Sequence, residues 1–455
     1  MTRAAPRRWL LVTLALTALA AIALAFAFAQ DADPASNLAA TDSTHAPDST
    51  TVSTAAPAPP RDYLAEVRAN FTPENRAYAA RRTMLGFLEP LWAIAVGLVI
   101  LFSGLSARMR DIAYSIGHRR YVQILVFFTL YTVVGFVLTF PIAWYAGFAL
   151  EHQFGLSNQG LSTWLADEVK GQAISIVFLG VIPLLSLVYM AIQKSPRRWW
   201  LWLSLGALPV IVFSDLIQPI VVDPIFNKFT PLQDQHLKGE ILALAAKAGI
   251  PAHNVYQVDK SAQTRKINAY VNGFGASQRI VLWDTTLKAM KEDEILFVMG
   301  HEIGHYKLGH VWKGIALISL LSVALFYASF VIMRWSVRRF GPRWGFTELH
   351  DIASLPLLAV TLTIVSFIAQ PLINARTRTI EHEADLYALE ITHLNDAGAR
   401  AFIKLGMQNK SNPEPGRMLK VFQYTHPPLI ERITTAEEYR PWEQGKPNWY
   451  FKPKR

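Results

Sequence analysis

Cysteine is absent from all 455 residues, which excludes disulfides, a thiol nucleophile and any thiolate metal ligand. A metal site in this chain must be built from histidine and carboxylate, a donor set that suits a catalytic rather than a structural ion. Acidic residues are scarce beside basic ones, 34 against 44, for a net charge of +10. On one face of a soluble domain that excess would point to nucleic acid. Here it falls in short loops beside apolar runs, which excludes nucleic acid as the partner. Charge of either sign is sparse: 17% of residues are charged against 52% hydrophobic, and mean hydropathy is +0.22. That is more apolar surface than a water-soluble fold needs, so the chain reads as embedded in a lipid bilayer.

Arg3, Arg7 and Arg8 precede the apolar run Trp9 to Ala29, which ends in Ala27-Phe28-Ala29. As a helix it spans about 31 Å, enough for a first transmembrane helix, and its A-x-A ending also fits signal-peptide cleavage. Residues 30–61, rich in Ala, Thr, Ser, Pro and Asp, read as a disordered linker. Further spans are expected near 84–104, 122–148, 172–193, 199–221, 312–334 and 351–372, which makes seven with the first. Pro141, Pro183, Pro209 and Pro219 interrupt several of them, as a bilayer tolerates when neighbouring helices satisfy the freed backbone. The expected division is a bundle over 62–221, a peptidase-like hydrophilic piece at 222–311, two spans over 312–372 and a C-terminal helical piece at 373–455.

Arginines and lysines concentrate at the N-terminus, at 105–121 (Arg108, Arg110, Arg119, Arg120), at 194–198 (Lys194, Arg197, Arg198) and around 335–350 (Arg334, Arg338, Arg339, Arg343). All four fall on one side of the spans. The alternate loop at 149–171 carries Glu151, Asp167 and Glu168 against Lys170, although Arg81 and Arg82 fall on that side too. The positive-inside rule then puts 222–311 and the C-terminal piece on the extracytoplasmic face, of the inner membrane if the chain is bacterial.

The segment His301-Glu302-Ile303-Gly304-His305 sets two histidines four apart with a glutamate beside the first. On a helix their side chains point about 40° apart, so both imidazoles reach one ion, and Glu302 stands next to it. With 12 histidines and 34 acidic residues in the chain, chance supplies roughly 0.02 such pentads. A catalytic zinc wants a third protein ligand. TRTIEHEADLYALEI reads as a helix and offers Glu381, His382, Glu383 and Asp385. Glu381 and Asp385 share one face, so one can ligate while the other hydrogen-bonds a ligand histidine. His382 and Glu383 turn away by about 100° and 200°. His310 reads as a polar residue near the membrane interface.

These parts point to peptide-bond hydrolysis, with Glu302 taking a proton from water and passing it to the departing amine. His426, held in a turn by Pro427 and Pro428, is a candidate oxyanion donor. Two β-prone runs at 268–274 and 279–283, joined through Gly273, Gly275 and Ser277, suggest a hairpin before the metal helix. Its edge could pair with an extended peptide or only brace the domain.

PIFNKFTPL at 224–232, NAYVNGF at 268–274, RIVLWDTTL at 279–287, DEILFVMGHEIGHYKLGH at 293–310, RTIEHEADLYA at 378–388 and HPPLIERI at 426–433 together resemble the integral-membrane zinc proteases typified by CAAX prenyl protease 1. The resemblance implies a mainly α fold: a barrel of seven transmembrane helices enclosing a chamber, closed by a small α+β zinc peptidase domain. It makes His301, His305 and Glu381 the ligands of one zinc ion, Glu302 the catalytic acid and base, and Asp385 a supporting or proton-handling carboxylate. It also sets Asn268, Arg378 and His426 near the substrate, a peptide or protein, including a lipidated C-terminal tail. Two positions depart from the family: Thr377 stands for its usual serine and Glu383 for its usual glutamine. Eukaryotic members face the zinc domain to the cytosol, whereas the arginines here favour the other side.

Two alternatives make different predictions. An intramembrane zinc protease would surround His301 with apolar sequence, yet Lys291, Glu292, Asp293 and Glu294 precede it, Lys307 follows, and no Leu-Asp-Gly ligand motif occurs. A non-catalytic transporter or scaffold would lack Glu302 or a ligand, and all are present.

Overall fold

The computed structural model describes residues 61–250, 254–272 and 279–452. The expected first helix, most of the linker and the Gly273–Ser277 connection lie outside them. The fold is mainly helical: α1 Tyr63–Ala69, α2 Pro73–Phe102, α3 Leu105–Ile116, α4 Arg120–Trp144, α5 Leu161–Ser175, α6 Leu184–Lys194 and α7 Trp199–Ile217 come first. Then follow α8 Gln235–Lys247, α9 Glu292–Lys307, α10 His310–Trp344, α11 Leu355–Thr392, α12 Asn395–Gln408, α13 Arg417–Gln423 and α14 Leu429–Glu438.

Among the described residues four helical stretches are long and apolar enough to cross a membrane, Pro73–Phe102, Arg120–Gln153, His310–Trp344 and Ile352–Thr392, and two bent pairs bring the number to six. Each matches an expected span but runs further. Arg81 and Arg82 therefore sit inside α2 rather than ahead of it. Proline shapes these helices as its missing N–H requires. One pair bends by 42° between Leu161–Val181 and Leu184–Lys194, where Pro183 falls. Wider π-turns occupy Tyr145–Ala149 after Pro141, Ile176–Val181 before Pro183 and Gln218–Val222 around Pro219. Large apolar side chains such as Leu320 and Ile368 stay 70% and 71% exposed, a surface that suits lipid rather than water.

Several loop ends come together at one end of the bundle. Arg110 reaches Asp351 at 2.7 Å, Arg120 donates to the His350 carbonyl and Tyr189 to the Ile352 carbonyl, so the ends near 105–120, 189–198 and 345–354 meet. At another end of the bundle, Tyr78 on α2 donates to Glu151, Lys266 pairs with Glu151 at 2.8 Å, and Ser157 donates to the Gln263 carbonyl.

A four-stranded sheet, β1 Phe229–Pro231, β2 Val255–Val258, β3 Ala269–Asn272 and β4 Arg279–Trp283, has the order β1-β2-β4-β3. β3 and β4 pair antiparallel with Ala269 opposite Leu282, as a hairpin requires, while β2 runs parallel to β4. β3 lies at the sheet edge. Alternate β4 side chains Ile280 and Leu282 join a core with α8, α9, α12 and α14 that includes Ile295, Phe297, Met299 and Phe402. The division expected at 372/373 coincides with no break: α11 runs unbroken from membrane span to EHEAD segment, with Pro371 inside it.

Candidate metal centre

α9 is held firmly at its start. Glu294, fully buried, accepts from Lys291 N–H at 2.7 Å and pairs with Lys404 at 2.6 Å and Arg400 at 3.2 Å, both on α12. Phe297 packs edge-on against Phe402. Along the side that meets α11, α9 carries Gly300 and Gly304. A Cβ at Gly304 would stand 3.1 Å from Tyr387 Cβ, and one at Gly300 would stand 3.0 Å from Thr392 Cγ2. The absence of those two side chains lets the helices approach closely enough for their polar residues to meet.

What meets there is His301, His305 and Glu381, whose ligand atoms all lie within 4.8 Å of one another. His301 Nε2 and His305 Nε2 are 3.0 Å apart, and they stand 3.3 and 3.6 Å from the Glu381 carboxylate. Two imidazole nitrogens and a carboxylate converging from two helices are the donor set of a divalent transition-metal site. Glu381 Oε2 is moreover buried without a well-formed hydrogen bond, an orphan that a cation would satisfy. The residues fit the ion.

Each expected site residue has a place. Asp385, one turn beyond Glu381, accepts from His301 Nδ1 at 2.8 Å and is only 1% exposed. Without a metal ion, burial opposes the imidazolium, but the Asp385 and Glu381 carboxylates outweigh it and push His301 up to about 10. Glu302 lines a chamber of about 1180 Å³ together with His301, His426 and Asn268. Burial raises its carboxyl above the usual range, against the pull of His301 and His305. His426 Nε2 lies 3.1 Å from Glu381 Oε2, and its Nδ1 is 2.9 Å from Thr425 Oγ1. Asn268 directly precedes edge strand β3, and its side-chain oxygen accepts from Ala269 N–H at 2.9 Å. Arg378 stands a step back from the chamber and donates to the carbonyls of Lys420 at 2.8 Å and Tyr424 at 2.7 Å. His382 is exposed.

Two residues were not foreseen as parts of the site. Arg432, buried, clamps Asp385 through two hydrogen bonds, and its guanidinium stacks 4.2 Å from the Phe402 ring centroid. Its signal is the arginine in HPPLIERI, one helical turn past the proline pair. His310, the first residue of α10, also belongs to the site: it is 4% exposed, with Nδ1 3.1 Å from His305 Nδ1 and Nε2 3.0 Å from Glu383 Oε2.

Comparison with known proteins shows the family. Residues 231–440 match peptidase family M48, and residues 51–228 match the CAAX prenyl protease N-terminal region of five membrane helices. An uncharacterized metalloprotease of Bacillus subtilis, YhfN, is 36% identical over 340 residues, covering 75% of this chain and 79% of that protein. CAAX prenyl protease 1 of Saccharomyces cerevisiae is 29% identical, over 69% of this chain and 72% of its own. The crystal structure of S. mikatae Ste24p superposes with a TM-score of 0.70 at 26% identity, covering 81% of this chain and 88% of that one.

Proposed function

The chain belongs to peptidase family M48 as an integral-membrane metalloendopeptidase, and from that premise we propose that His301, His305 and Glu381 hold one zinc ion at the wall of the chamber. The observation that carries this reading is the convergence of those three side chains within 4.8 Å, beside Glu302 on the chamber lining. When bound, zinc supplies Lewis acidity to water and to the scissile carbonyl. Glu302 takes the proton of the attacking water and returns it to the departing amine. A raised pKa keeps that second transfer favourable. His426, its Nδ1 steadied by Thr425, donates from Nε2 to the developing oxyanion. Asp385 holds His301 in the tautomer that frees Nε2.

The substrate is a peptide or protein, and we take it to enter the chamber extended, adding a strand to the free edge of β3 next to Asn268. Phe87, Leu362 and Phe367 give the chamber an apolar wall, which supports a tail carrying a lipid. Arg378 braces the loop that carries His426 rather than touching the substrate. By loop charge, the metal centre faces the extracytoplasmic side. A reporter fused after Arg455 should be active only outside the cytoplasm, and cytoplasmic activity would reverse the orientation.

Glu302→Ala tests the mechanism. Peptide cleavage should fall by about 10²-fold or more, the usual contribution of a general base, with zinc content unchanged. Cleavage at the wild-type rate would remove Glu302 from the reaction, whereas lost zinc would reassign it to the ligand set.

A further inference from the structure

The two histidines of the metal helix are not supported alike. His301 hands its Nδ1 proton directly to a carboxylate, Asp385, at 2.8 Å. His305 has no carboxylate at Nδ1; it meets a third imidazole, His310 Nδ1, at 3.1 Å, and His310 Nε2 continues to Glu383 Oε2 at 3.0 Å. Glu383 Oε1 is steadied in turn by Arg376 at 3.7 Å. His310 gets there because Gly309, at φ 67°, breaks α9 from α10. The membrane helix restarts with its first residue folded back over the metal helix. A left-handed residue of this kind is easy for glycine and costly for others.

Proton positions along this row follow from counting. If His305 directs the Nε2 lone pair at the ion, its single proton is on Nδ1. That N–H needs an acceptor, so His310 Nδ1 carries no proton. The His310 proton is then on Nε2, where a carboxylate accepts it. One arrangement satisfies every donor and acceptor: Glu383 carboxylate, His310 protonated at Nε2, His305 protonated at Nδ1, Nε2 free for metal. His310 is 4% exposed, and a buried imidazole with one partner missing would leave a polar group unsatisfied.

We propose that His310 and Glu383 are positioning residues of the metal centre, a carboxylate–imidazole relay that fixes the tautomer and ring orientation of His305 and strengthens it as a ligand. The proposal rests on His305 ligating the metal through Nε2. The Glu383 carboxylate at Nε2 makes His310 a better acceptor toward His305, and through it makes His305 a richer donor.

The test is the zinc dissociation constant of the purified full-length protein, measured by chelator competition, with the melting temperature of the metal-free protein as a folding control. His310→Phe and Glu383→Leu should each weaken zinc about 10–100-fold, the usual effect of losing such a partner. His310→Asn, whose side-chain oxygen replaces Nδ1 as acceptor, and Glu383→Gln, which still accepts from Nε2–H, should each fall between wild type and the apolar variant. His305→Ala should lose more zinc than any of these. Should His305→Ala bind zinc like wild type, the metal centre as proposed is wrong and the relay goes with it. If His305→Ala loses zinc while His310→Phe and Glu383→Leu hold it within about twofold of wild type, the relay alone is overturned. Asn no better than Phe at 310 would replace hydrogen bonding by mere packing, which also overturns it. Where His310→Phe shows no folded transition, the Glu383 pair decides by the same criteria.

Discussion

Asp385 and Arg432 face each other as a buried two-pronged pair, Nε to Oδ2 at 2.8 Å and Nη2 to Oδ1 at 2.6 Å, while the same Oδ1 accepts from His301 Nδ1. The guanidinium keeps the buried Asp385 charged, and the charged carboxylate in turn orients His301, a proposed metal ligand. α14 is thereby tied to α9 through a side chain of α11.

Arg432→Met should therefore strand the Asp385 charge. Removing one partner of a buried pair costs about 3–5 kcal/mol, so the melting temperature should drop sharply and zinc affinity with it. The double variant Arg432→Met with Asp385→Asn removes the stranded charge; it should recover much of the stability but not the affinity. Equal recovery of both would deny Asp385 its orienting role.

Zinc affinity should rise with pH. His301, pushed up to about 10 by its carboxylates, is protonated in the metal-free protein below that value, whereas a ligand must be neutral. The ion displaces one proton, so the dissociation constant should tighten about tenfold per unit between roughly pH 6 and 9. Competition titrations across that window check it, and a flat profile would contradict proton displacement from His301.

Gly304→Ala adds a Cβ 3.1 Å from Tyr387 Cβ, at a part of the tyrosine that no rotamer change can move. Overpacking of this sort costs about 1–3 kcal/mol, and here it also pushes α9 from α11. Lower thermal stability together with weaker zinc binding is expected. The alanine variant of Gly314, where nothing lies within 4 Å of an added Cβ, serves as control and should change neither.

Arg378→Ala should separate positioning from ligation. Its two carbonyl contacts hold the chain that leads into His426, and Asn374 one turn earlier donates to the Phe422 carbonyl at 2.8 Å. Loosening that loop should lower kcat about tenfold or more, since misplacement of a catalytic group is costly, with zinc content intact. Zinc loss equal to that of Glu381→Ala would instead put Arg378 in the ligand framework.

Legibility in the sequence followed the reach of each contact. His301 and His305 share one helical face with Glu302 beside them, and Glu381 with Asp385 repeats the i, i+4 spacing on another helix, so periodicity alone brings them forward. The spans were legible as apolar runs, yet their ends were not. Helices such as α2 and α11 continue past their apolar runs on the strength of packing, which a window of hydropathy does not sense. His310 sits five residues from His305, at no helical spacing, so periodicity does not join the two. Only the turn at Gly309 brings it back. Arg432 was hidden for a similar reason: its partner is 47 residues away, and an arginine one turn past a proline pair looks like ordinary surface charge until α14 is docked.

The unbroken α11 has a practical consequence. Its 38 residues make a rod of about 57 Å, nearly twice the thickness of the hydrocarbon layer. One half is apolar enough to cross a membrane and the other half carries Glu381 and Asp385. A fragment trimmed to the water-exposed portion would begin in mid-rod, its first turn stripped of hydrogen-bond partners and its metal ligands hung from a fraying end. The enzyme cannot be divided into an anchor and a detachable head, because one helix serves as both.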